Sequence, residues 1–203
     1  MLKRHGNLFV ISGPSGAGKG TLVSRLMAAV DDAWLSVSAT TRAPRAGETD
    51  GIQYYFVSVD EFRRMIDEGE LLEWACFSGN YYGTPRASVE KHIAAGEQVI
   101  LEIEIQGARQ VKKQFPEAHL VFIEPPSLEV LEQRLRGRGT ESEEAIRARL
   151  ETARVELAGI GEYDFRLVND DLDLASAQLI AYIERHARNL PQRAAETADK
   201  EDE

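Results

Sequence analysis

The stretch Leu8-Phe9-Val10-Ile11-Ser12-Gly13-Pro14-Ser15-Gly16-Ala17-Gly18-Lys19 decides the fold of this 203-residue chain. Its four leading apolar residues predict a buried β-strand, and apolar residues at helical spacing from Leu22 to Val30 predict a following helix. A Gly-x-x-x-x-Gly-Lys sequence between a strand and a helix is typical of a phosphate-binding loop. Glycine amides converge on phosphate oxygens there, while Lys19 and the helix N-terminus add positive charge. The stretch therefore predicts a nucleotide-binding site.

The residue after Lys19 narrows the class of nucleotide-binding protein. Gly20 stands where GTPases and motor ATPases generally carry a hydroxyl that reaches Mg²⁺, and Thr21 comes one position later. Gly-Lys-Gly-Thr is frequent in nucleoside monophosphate kinases, so this departure favours a kinase. The predicted ATP-binding residues are Gly13, Pro14, Ser15, Gly16, Ala17, Gly18, Lys19, Gly20 and Thr21.

Further buried strands and helices alternate along the rest of the chain. Apolar runs at Val99–Ile105, Leu120–Ile123 and Arg166–Val168 predict strands. Helices are predicted after Ser127, a suitable N-cap, and from Leu172 to Ile183. This alternation predicts an α/β fold with a parallel sheet flanked by helices.

Two segments interrupt this alternation of strands and helices. Residues 38–86 combine strand-like segments at Tyr54–Val57 and Leu71–Phe77 with a capping box at Ser58–Glu61, which predicts a small α+β insertion. In residues Gly137–Glu162, Gly137 and Gly139 precede a long charged helix that begins near Ser142. The tail from Pro191 is polar and acidic, so we expect it to be frayed.

Composition excludes several classes of protein. Lys plus Arg number 24 against 34 Asp plus Glu, so the net charge of −10 makes general binding to nucleic acid or an anionic membrane unfavourable. The single cysteine, Cys76, excludes a disulfide framework and a multi-cysteine metal site. No apolar run approaches the roughly 20 residues of a membrane span, so we expect a cytoplasmic protein without a membrane partner. Oligomeric state does not follow from these features.

Positive charge gathers locally in the insertion. Thr40-Thr41-Arg42-Ala43-Pro44-Arg45 places two arginines around a proline that biases Ala43 towards an extended backbone. Two planar guanidinium forks can then converge on one anion, although an isolated arginine pair is more often simply solvated.

Several further motifs occur together with that segment. They are Ser38–Arg45, Glu73-Trp74-Ala75, Ser78–Thr84, Gly137–Thr140 and Val168–Asp171. In order and spacing they resemble the guanylate kinase family, from about Asn7 to Asn189. The resemblance implies a core at 1–37, 87–136 and 163–190, a GMP-binding region at 38–86, a lid at 137–162 and the tail at 191–203.

The resemblance also implies roles for individual residues, with ATP and GMP as substrates and Mg²⁺ as cofactor. The GMP phosphate would be held by Arg42, Arg45, Tyr54 and Tyr82, and guanine would be read by Ser38, Glu73 and Thr84. The transferring phosphates would be approached by Lys19, Arg42, Arg134, Arg138 and Arg149.

Two carboxylates, Glu102 and Glu104, lie at the end of one predicted strand. Glu102 and Glu104 are expected to share one face of the predicted strand Val99–Ile105, because side chains alternate along a strand. Such a pair could order Mg²⁺-bound water and touch guanine. The family most often has Asp at the position of Glu104, so its contact with GMP is less directly implied. With Gly20 lacking a hydroxyl, we expect Mg²⁺ to be held mainly by ATP phosphates and water, with Glu102 nearby.

Two alternatives remain open. A non-catalytic interaction module of the same family would tend to lose phosphate-loop and arginine residues, whereas Lys19, Arg42, Arg45 and Arg138 are present. A sugar-phosphate kinase would have no use for the proposed guanine readers. No catalytic His or Ser–His pair is apparent, which fits a reaction whose acceptor is already an ionised phosphate.

Overall fold

The computed structural model describes residues 5–77, 79–137 and 142–187. Ser78, Arg138 and the acidic tail lie outside these ranges. In chain order the elements are β1 (Asn7–Ser12), α1 (Lys19–Ala29), β2 (Ala33–Leu35), β3 (Ser38–Thr40), β4 (Tyr54–Phe56), α2 (Val59–Asp67), β5 (Leu71–Phe77), β6 (Asn80–Pro85), α3 (Arg86–Ala95), β7 (Gln98–Glu102), α4 (Ile105–Gln114), β8 (His119–Glu124), α5 (Leu128–Arg136), α6 (Glu143–Ala158), a 3₁₀ helix (Ile160–Glu162), β9 (Phe165–Val168) and α7 (Leu172–Ala187).

A five-stranded sheet in the order β2-β7-β1-β8-β9 forms the centre, and every neighbouring pair is parallel. Phe9 and Ile11 of β1 pack on one face against α1 and α7, whereas Leu8 and Val10 pack on the other against α3 and α4. The predicted α/β fold with helices on both faces is confirmed. The carboxyl ends of the strands meet at one edge of such a sheet, which is where ligands bind.

The strand predicted at Val99–Ile105 is too long. β7 ends at Glu102, Glu104 is the N-cap of α4, and Ile105 is its first helical residue. Ile105, Ala108 and Val111 are all buried, and this helical spacing determines the conformation against the local strand-like alternation. Glu102 and Glu104 therefore do not share a strand face, although both line the same cavity.

A second sheet of four strands lies in the insertion, in the order β4-β3-β6-β5. β3 is parallel to β4, and β6 is antiparallel to both β3 and β5. Half of the predicted capping box is present: the Ser58 hydroxyl accepts a hydrogen bond from the Glu61 amide at 3.1 Å, whereas the Glu61 carboxylate pairs with Arg64. The predicted mixed α+β insertion is confirmed as a fold. The register between β5 and β6 shifts between Leu71 and Glu73, so the regular pairing is interrupted next to Glu73.

An aromatic cluster lies at the amino ends of β1 and β8, away from that edge. The His119 ring stacks on Phe9, with 5.0 Å between centroids, and lies 4.2 Å from the ring of His186. Burial, together with the nearby His186 ring, lowers the pKa of His119 to about 4. The folded protein therefore holds this imidazole neutral over most of the physiological pH range.

We expect acid to destabilise the protein through His119. In the unfolded chain this residue binds a proton near its usual pKa of about 6.5, whereas in the folded chain it does so only near 4. The unfolded state binds more protons across that window, so the free energy of unfolding decreases as pH falls from about 6.5 to 4. His119→Gln removes this contribution and should flatten the pH dependence measured by urea unfolding. Equal slopes in the two proteins would contradict the assignment.

Candidate functional site

The phosphate loop lies between β1 and α1, as predicted, and is held against the ends of β8 and β9. Gly13 and Gly18 have φ values of 147° and 93°, in a region that other residues rarely adopt. A Cβ on Gly13 would lie 2.2 Å from the Ile123 carbonyl oxygen, and one on Gly18 would lie 2.3 Å from Asn169 Nδ2. These close approaches fix the loop to the sheet edge and require glycine.

Asn169 links this loop to α5, and sequence reasoning gave it no individual role. Its buried Nδ2 donates a hydrogen bond to the Ala17 carbonyl at 2.7 Å. Its own carbonyl accepts a hydrogen bond from Arg134 Nη2 at 2.9 Å. Arg134, predicted to approach the transferring phosphates, is therefore oriented by the same residue that supports the loop.

Lys19 is the first residue of α1, and its ammonium group donates to the carbonyls of Gly13 and Pro14, the latter at 3.2 Å. It shares a cavity of about 410 Å³ with Ser15, Thr21 and Glu102. Burial raises the pKa of the Glu102 carboxyl, and the positive charge of Lys19 opposes that rise. The ammonium group thus lies at the loop where phosphate oxygens would collect.

The donor set around Gly20 fits a magnesium ion that is held indirectly. The Glu102 carboxylate oxygens lie 3.9 and 4.0 Å from the position of a Cβ added at Gly20. One carboxylate and nearby hydroxyls are the hard oxygen ligands that Mg²⁺ prefers, and the cavity leaves room for phosphates and water. Within the described ranges, no cluster of three or more His, Cys, Asp or Glu residues could hold a metal by itself.

A second cavity, of about 310 Å³, lies between the insertion and the central sheet. Its lining residues come from both parts and include Ser38, Tyr54, Glu73, Tyr82 and Glu104. A larger cavity of about 700 Å³ shares Ser38, Tyr54 and Glu104 with it and extends to Lys19 and Arg149. The two cavities form one cleft that runs from the insertion to the phosphate loop.

Glu73 is the most enclosed carboxylate of this cleft, with only 6% of its surface exposed. Its Oε1 accepts a hydrogen bond from the Thr84 hydroxyl at 2.6 Å. Burial raises the pKa of Glu73, the Thr84 hydrogen bonds oppose that rise, and Glu104 adds to it. Thr84 is itself fully buried and lies behind Glu73, outside the set of residues that line the cavity.

The predicted arginines are held at the outer part of the insertion. Arg42 Nη2 donates to Glu48 Oε1 at 2.8 Å, and its guanidinium lies over the rings of Tyr54 and Phe56, 5.4 and 5.7 Å from their centroids. The other oxygen of Glu48 accepts from the Arg45 backbone amide at 2.7 Å. Arg45 is exposed. Glu48, which sequence reasoning missed, therefore connects the two arginines.

The family resemblance implies that Arg42 and Arg45 hold the GMP phosphate, so we expect Glu48→Ala, which removes a partner of both, to weaken GMP use. The side chain orients the Arg42 guanidinium and also closes the turn at the Arg45 amide. A displacement of about 1 Å at a positioning residue can lower a reaction rate roughly 100-fold. Here the displaced groups bind substrate, so we expect a smaller effect: a KM for GMP about tenfold higher, with the KM for ATP unchanged. Steady-state kinetics with Asp67→Asn, an exposed acid in α2, as the control would test this. A lower KM for GMP would mean that the charge of Glu48 dominates.

The charged helix α6 faces the phosphate loop. The helix begins next to Ser142, as predicted, with Ser142 as its N-cap, and Arg149 Nη1 donates to the Ser15 hydroxyl at 2.6 Å. Glu156, on the same helix, lines the larger cavity and was missed by sequence reasoning. Burial raises the pKa of Glu156, and Lys19 opposes that rise. Arg138, predicted to act in the same region, lies outside the described residues.

These observations define a class of protein. A phosphate loop, a parallel sheet, a mixed insertion and a helix that brings an arginine to the loop form the architecture of nucleoside monophosphate kinases. The model of the guanylate kinase family matches residues 5–186. The chain therefore belongs to the guanylate kinase family.

Individual relatives agree with this assignment. A curated guanylate kinase from Synechocystis sp. is 57% identical over 178 residues, which cover 88% of this chain and 93% of that protein. One from Thermobifida fusca is 57% identical over 176 residues, covering 87% and 90%. A solved guanylate kinase from Anaplasma phagocytophilum has a TM-score of 0.74 at 32% identity, and the match covers 93% of this chain and 90% of that one.

Within the described residues, no helix is both long and apolar enough to cross a membrane.

Proposed function

We propose that this chain transfers the γ-phosphoryl group of ATP to GMP and produces ADP and GDP. The observation that carries the proposal is a buried carboxylate, Glu73, on the wall of a cleft that continues to the phosphate loop. Guanine presents two adjacent donors, N1–H and the exocyclic amine, and a carboxylate offers two acceptors at matching spacing. The cleft thus provides a base site and a phosphate site in one continuous space.

GMP occupies the part of the cleft that belongs to the insertion, residues 38–86. Glu73 reads the guanine edge with Ser38 and Glu104 nearby, and Thr84 acts by holding Glu73. The phosphate of GMP is bound by Arg42, Arg45, Tyr54 and Tyr82. Cation–π contact with Tyr54 keeps the Arg42 guanidinium in place beside the cleft.

ATP occupies the phosphate loop, Gly13 to Thr21, with its transferring phosphate towards the cleft. Lys19 supplies charge at the loop, Arg134 is supported by Asn169, and Arg149 comes from α6. Arg138 is proposed to complete this set from the lid, residues 137–162. Mg²⁺, when bound, neutralises phosphate charge, and Glu102 is the carboxylate placed to hold its water shell.

The reaction needs positioning and charge neutralisation more than proton transfer. The second pKa of a phosphate monoester is about 6, so GMP is largely dianionic at neutral pH and requires no general base. Two anionic phosphates must instead be brought in line, and their repulsion must be cancelled by Lys19 and the arginines. The lid excludes water, which would otherwise accept the phosphoryl group. The cytoplasm, which supplies both nucleotides, is the proposed location.

A coupled assay that measures ADP release would test this function. GMP should be phosphorylated with a kcat/KM at least about 10³-fold above those for AMP, UMP and ribose 5-phosphate. Preference for ribose 5-phosphate would favour a sugar-phosphate kinase. Nucleotide binding without turnover of any acceptor would favour a non-catalytic interaction module.

A further inference from the structure

One face of α4 lies directly against Glu73 and its two neighbours in β5. Gly107 faces the Glu73 carboxylate, Gln110 contacts Trp74, and Gln114 contacts Leu72. Their spacing of three and four residues places them on one side of the helix. α4 therefore covers three consecutive residues of the strand that carries the proposed guanine reader.

Gly107 is a glycine for which the backbone gives no reason. It lies in the first turn of α4 with ordinary helical geometry and is buried. Glycine in a helix costs about 1 kcal/mol relative to alanine, so alanine would be the favoured residue here on propensity alone. The reason must lie in what surrounds the position.

The surroundings leave no space for a side chain at position 107. A Cβ added there would lie 2.6 Å from Glu73 Oε2 and 3.2 Å from Glu73 Cδ. It would also lie 3.2 Å from Ile103 Cδ1. The other carboxylate oxygen is held by the Thr84 hydroxyl at 2.6 Å, so the carboxylate lies between that hydroxyl and the α4 backbone at Gly107. A methyl group at 107 must displace the carboxylate, the helix or both.

Gln110 and Gln114 keep α4 in register with β5. β5 is the edge strand of its sheet, which leaves one row of its backbone groups without a strand partner. Gln110 accepts from the Trp74 amide at 3.2 Å and donates to the Trp74 carbonyl at 2.9 Å, as a neighbouring strand would. Gln114 donates to the Leu72 carbonyl at 2.8 Å. These bonds lie on either side of Glu73 and fix its backbone relative to the helix.

We propose that Gly107 is a positioning residue for Glu73, and that the α4 face formed by Gly107, Gln110 and Gln114 thereby sets selectivity for guanine. The inference rests on the proposed function, in which Glu73 pairs with the guanine edge. The missing side chain at 107 lets the carboxylate lie deep enough to meet both guanine donors at once. Gln110 and Gln114 hold β5 against α4 in the position from which Glu73 can meet both guanine donors.

The test compares GMP with IMP, whose base lacks the exocyclic amine that Glu73 would bind. Gly107→Ala should lower kcat/KM for GMP by about 10- to 100-fold, as expected for a displacement of up to about 1 Å. The loss for IMP should be smaller because one of the two bonds is already absent, so the GMP:IMP ratio falls. The affinity for ATP should remain within about twofold of the wild type. An unchanged GMP:IMP ratio would overturn the inference.

A double-mutant cycle separates positioning from packing. In a Glu73→Gln background, Gly107→Ala should reduce kcat/KM for GMP by much less than in the wild type, because the bidentate pairing is already lost. Equal losses in both backgrounds would mean that Gly107 serves packing alone, and would overturn the inference. Lys113→Ala, at an exposed position of the same helix, is the matched control.

A second variant covers the case in which Gly107→Ala does not fold. Gln110→Glu can still accept from the Trp74 amide but cannot donate to its carbonyl, so it should also lower the GMP:IMP ratio. An unchanged ratio in that variant would overturn the role of the α4 face. If Glu73→Gln itself left the ratio unchanged, the proposed reading of guanine would fail, and this inference with it. A failure confined to the α4 variants would leave the proposed function standing.

Discussion

Lys19→Ala is expected to reduce kcat by roughly 10³-fold, which is near the upper range for removing one group that stabilises transition-state charge. Lys19 lies at the start of α1 and reaches back along the phosphate loop to the carbonyls of Gly13 and Pro14. Charge on the transferring phosphate is spread over its oxygens in the transition state, so a cation fixed at this point lowers the barrier. Without it, the nearby Glu102 carboxylate would lose the positive charge that opposes it at the loop.

The fold should survive this substitution. The hydrogen bonds of Lys19 to Gly13 and Pro14 remain within the loop, whereas the core beneath is formed by apolar residues such as Phe9 and Leu22. Circular dichroism and thermal melting should therefore match the wild type. Lys91→Ala, at an exposed position in α3, is the matched control. Near-native turnover of MgATP and GMP by Lys19→Ala would contradict the proposed role.

Lys19→Arg would separate charge from shape. Arginine keeps the positive charge but carries it on a planar fork that does not reproduce the compact ammonium group. We expect only partial recovery of kcat in this variant. Full recovery would indicate that net charge at the loop, and not its position, is what the reaction requires.

The features that sequence predicted are those determined by local spacing. The phosphate loop, β5 and the helix starts at Ser58, Ser127 and Ser142 depend on residues within a few positions of one another. α4 was missed because Ile103 and Ile105 alternate with glutamates, as in a strand. The burial of Val111 against the central sheet is a tertiary contact, and it stabilises the helix over a longer strand.

The supporting residues of the site could not be predicted for a similar reason. Asn169 contacts Ala17 across 152 positions of the chain, and Gly107 meets Glu73 only because α4 packs on β5. Glu48 lies close in sequence to Arg42, but an acid in an exposed loop gives no signal of its own. Motif residues were found because they resemble those of a family, whereas the residues that hold them became apparent only from packing.

Glu73→Gln is expected to lower kcat/KM for GMP by roughly 100-fold or more. The carboxylate is buried, and one of its oxygens is already held by the Thr84 hydroxyl. A glutamine amide has one acceptor, its oxygen, and one donor group, its nitrogen. Only one guanine donor can therefore be paired, and the other faces the amide nitrogen, which cannot accept a hydrogen bond. A lost hydrogen bond to a charged group costs about 1.5–3 kcal/mol, and an unpaired buried donor adds to this.

The loss should be specific to the base. Adenine presents an acceptor at ring N1, which would meet the lone pairs of an ionised Glu73, so the wild type should reject AMP. Sites that hydrogen-bond a substrate group can reject an analogue lacking it by about 10⁴–10⁵-fold. In the glutamine variant, kcat/KM for AMP should rise relative to that for GMP, because an amide can donate a hydrogen bond to ring N1 of adenine. Ser38 adapts to either base, since a hydroxyl both donates and accepts.

ATP binding provides the internal control for this substitution, because Glu73 lies in the insertion and the phosphate loop lies at the end of β1. The dissociation constant of ATP should change by less than about twofold, and Glu117→Gln, at an exposed position, should leave both nucleotides unaffected. Retention of the wild-type preference for GMP over AMP in Glu73→Gln would place the base reader elsewhere. Glu104 would then be the next candidate, because it lines the same cavity and its charge already acts on Glu73. Glu104→Gln would in that case produce the loss of selectivity that we assign to Glu73→Gln.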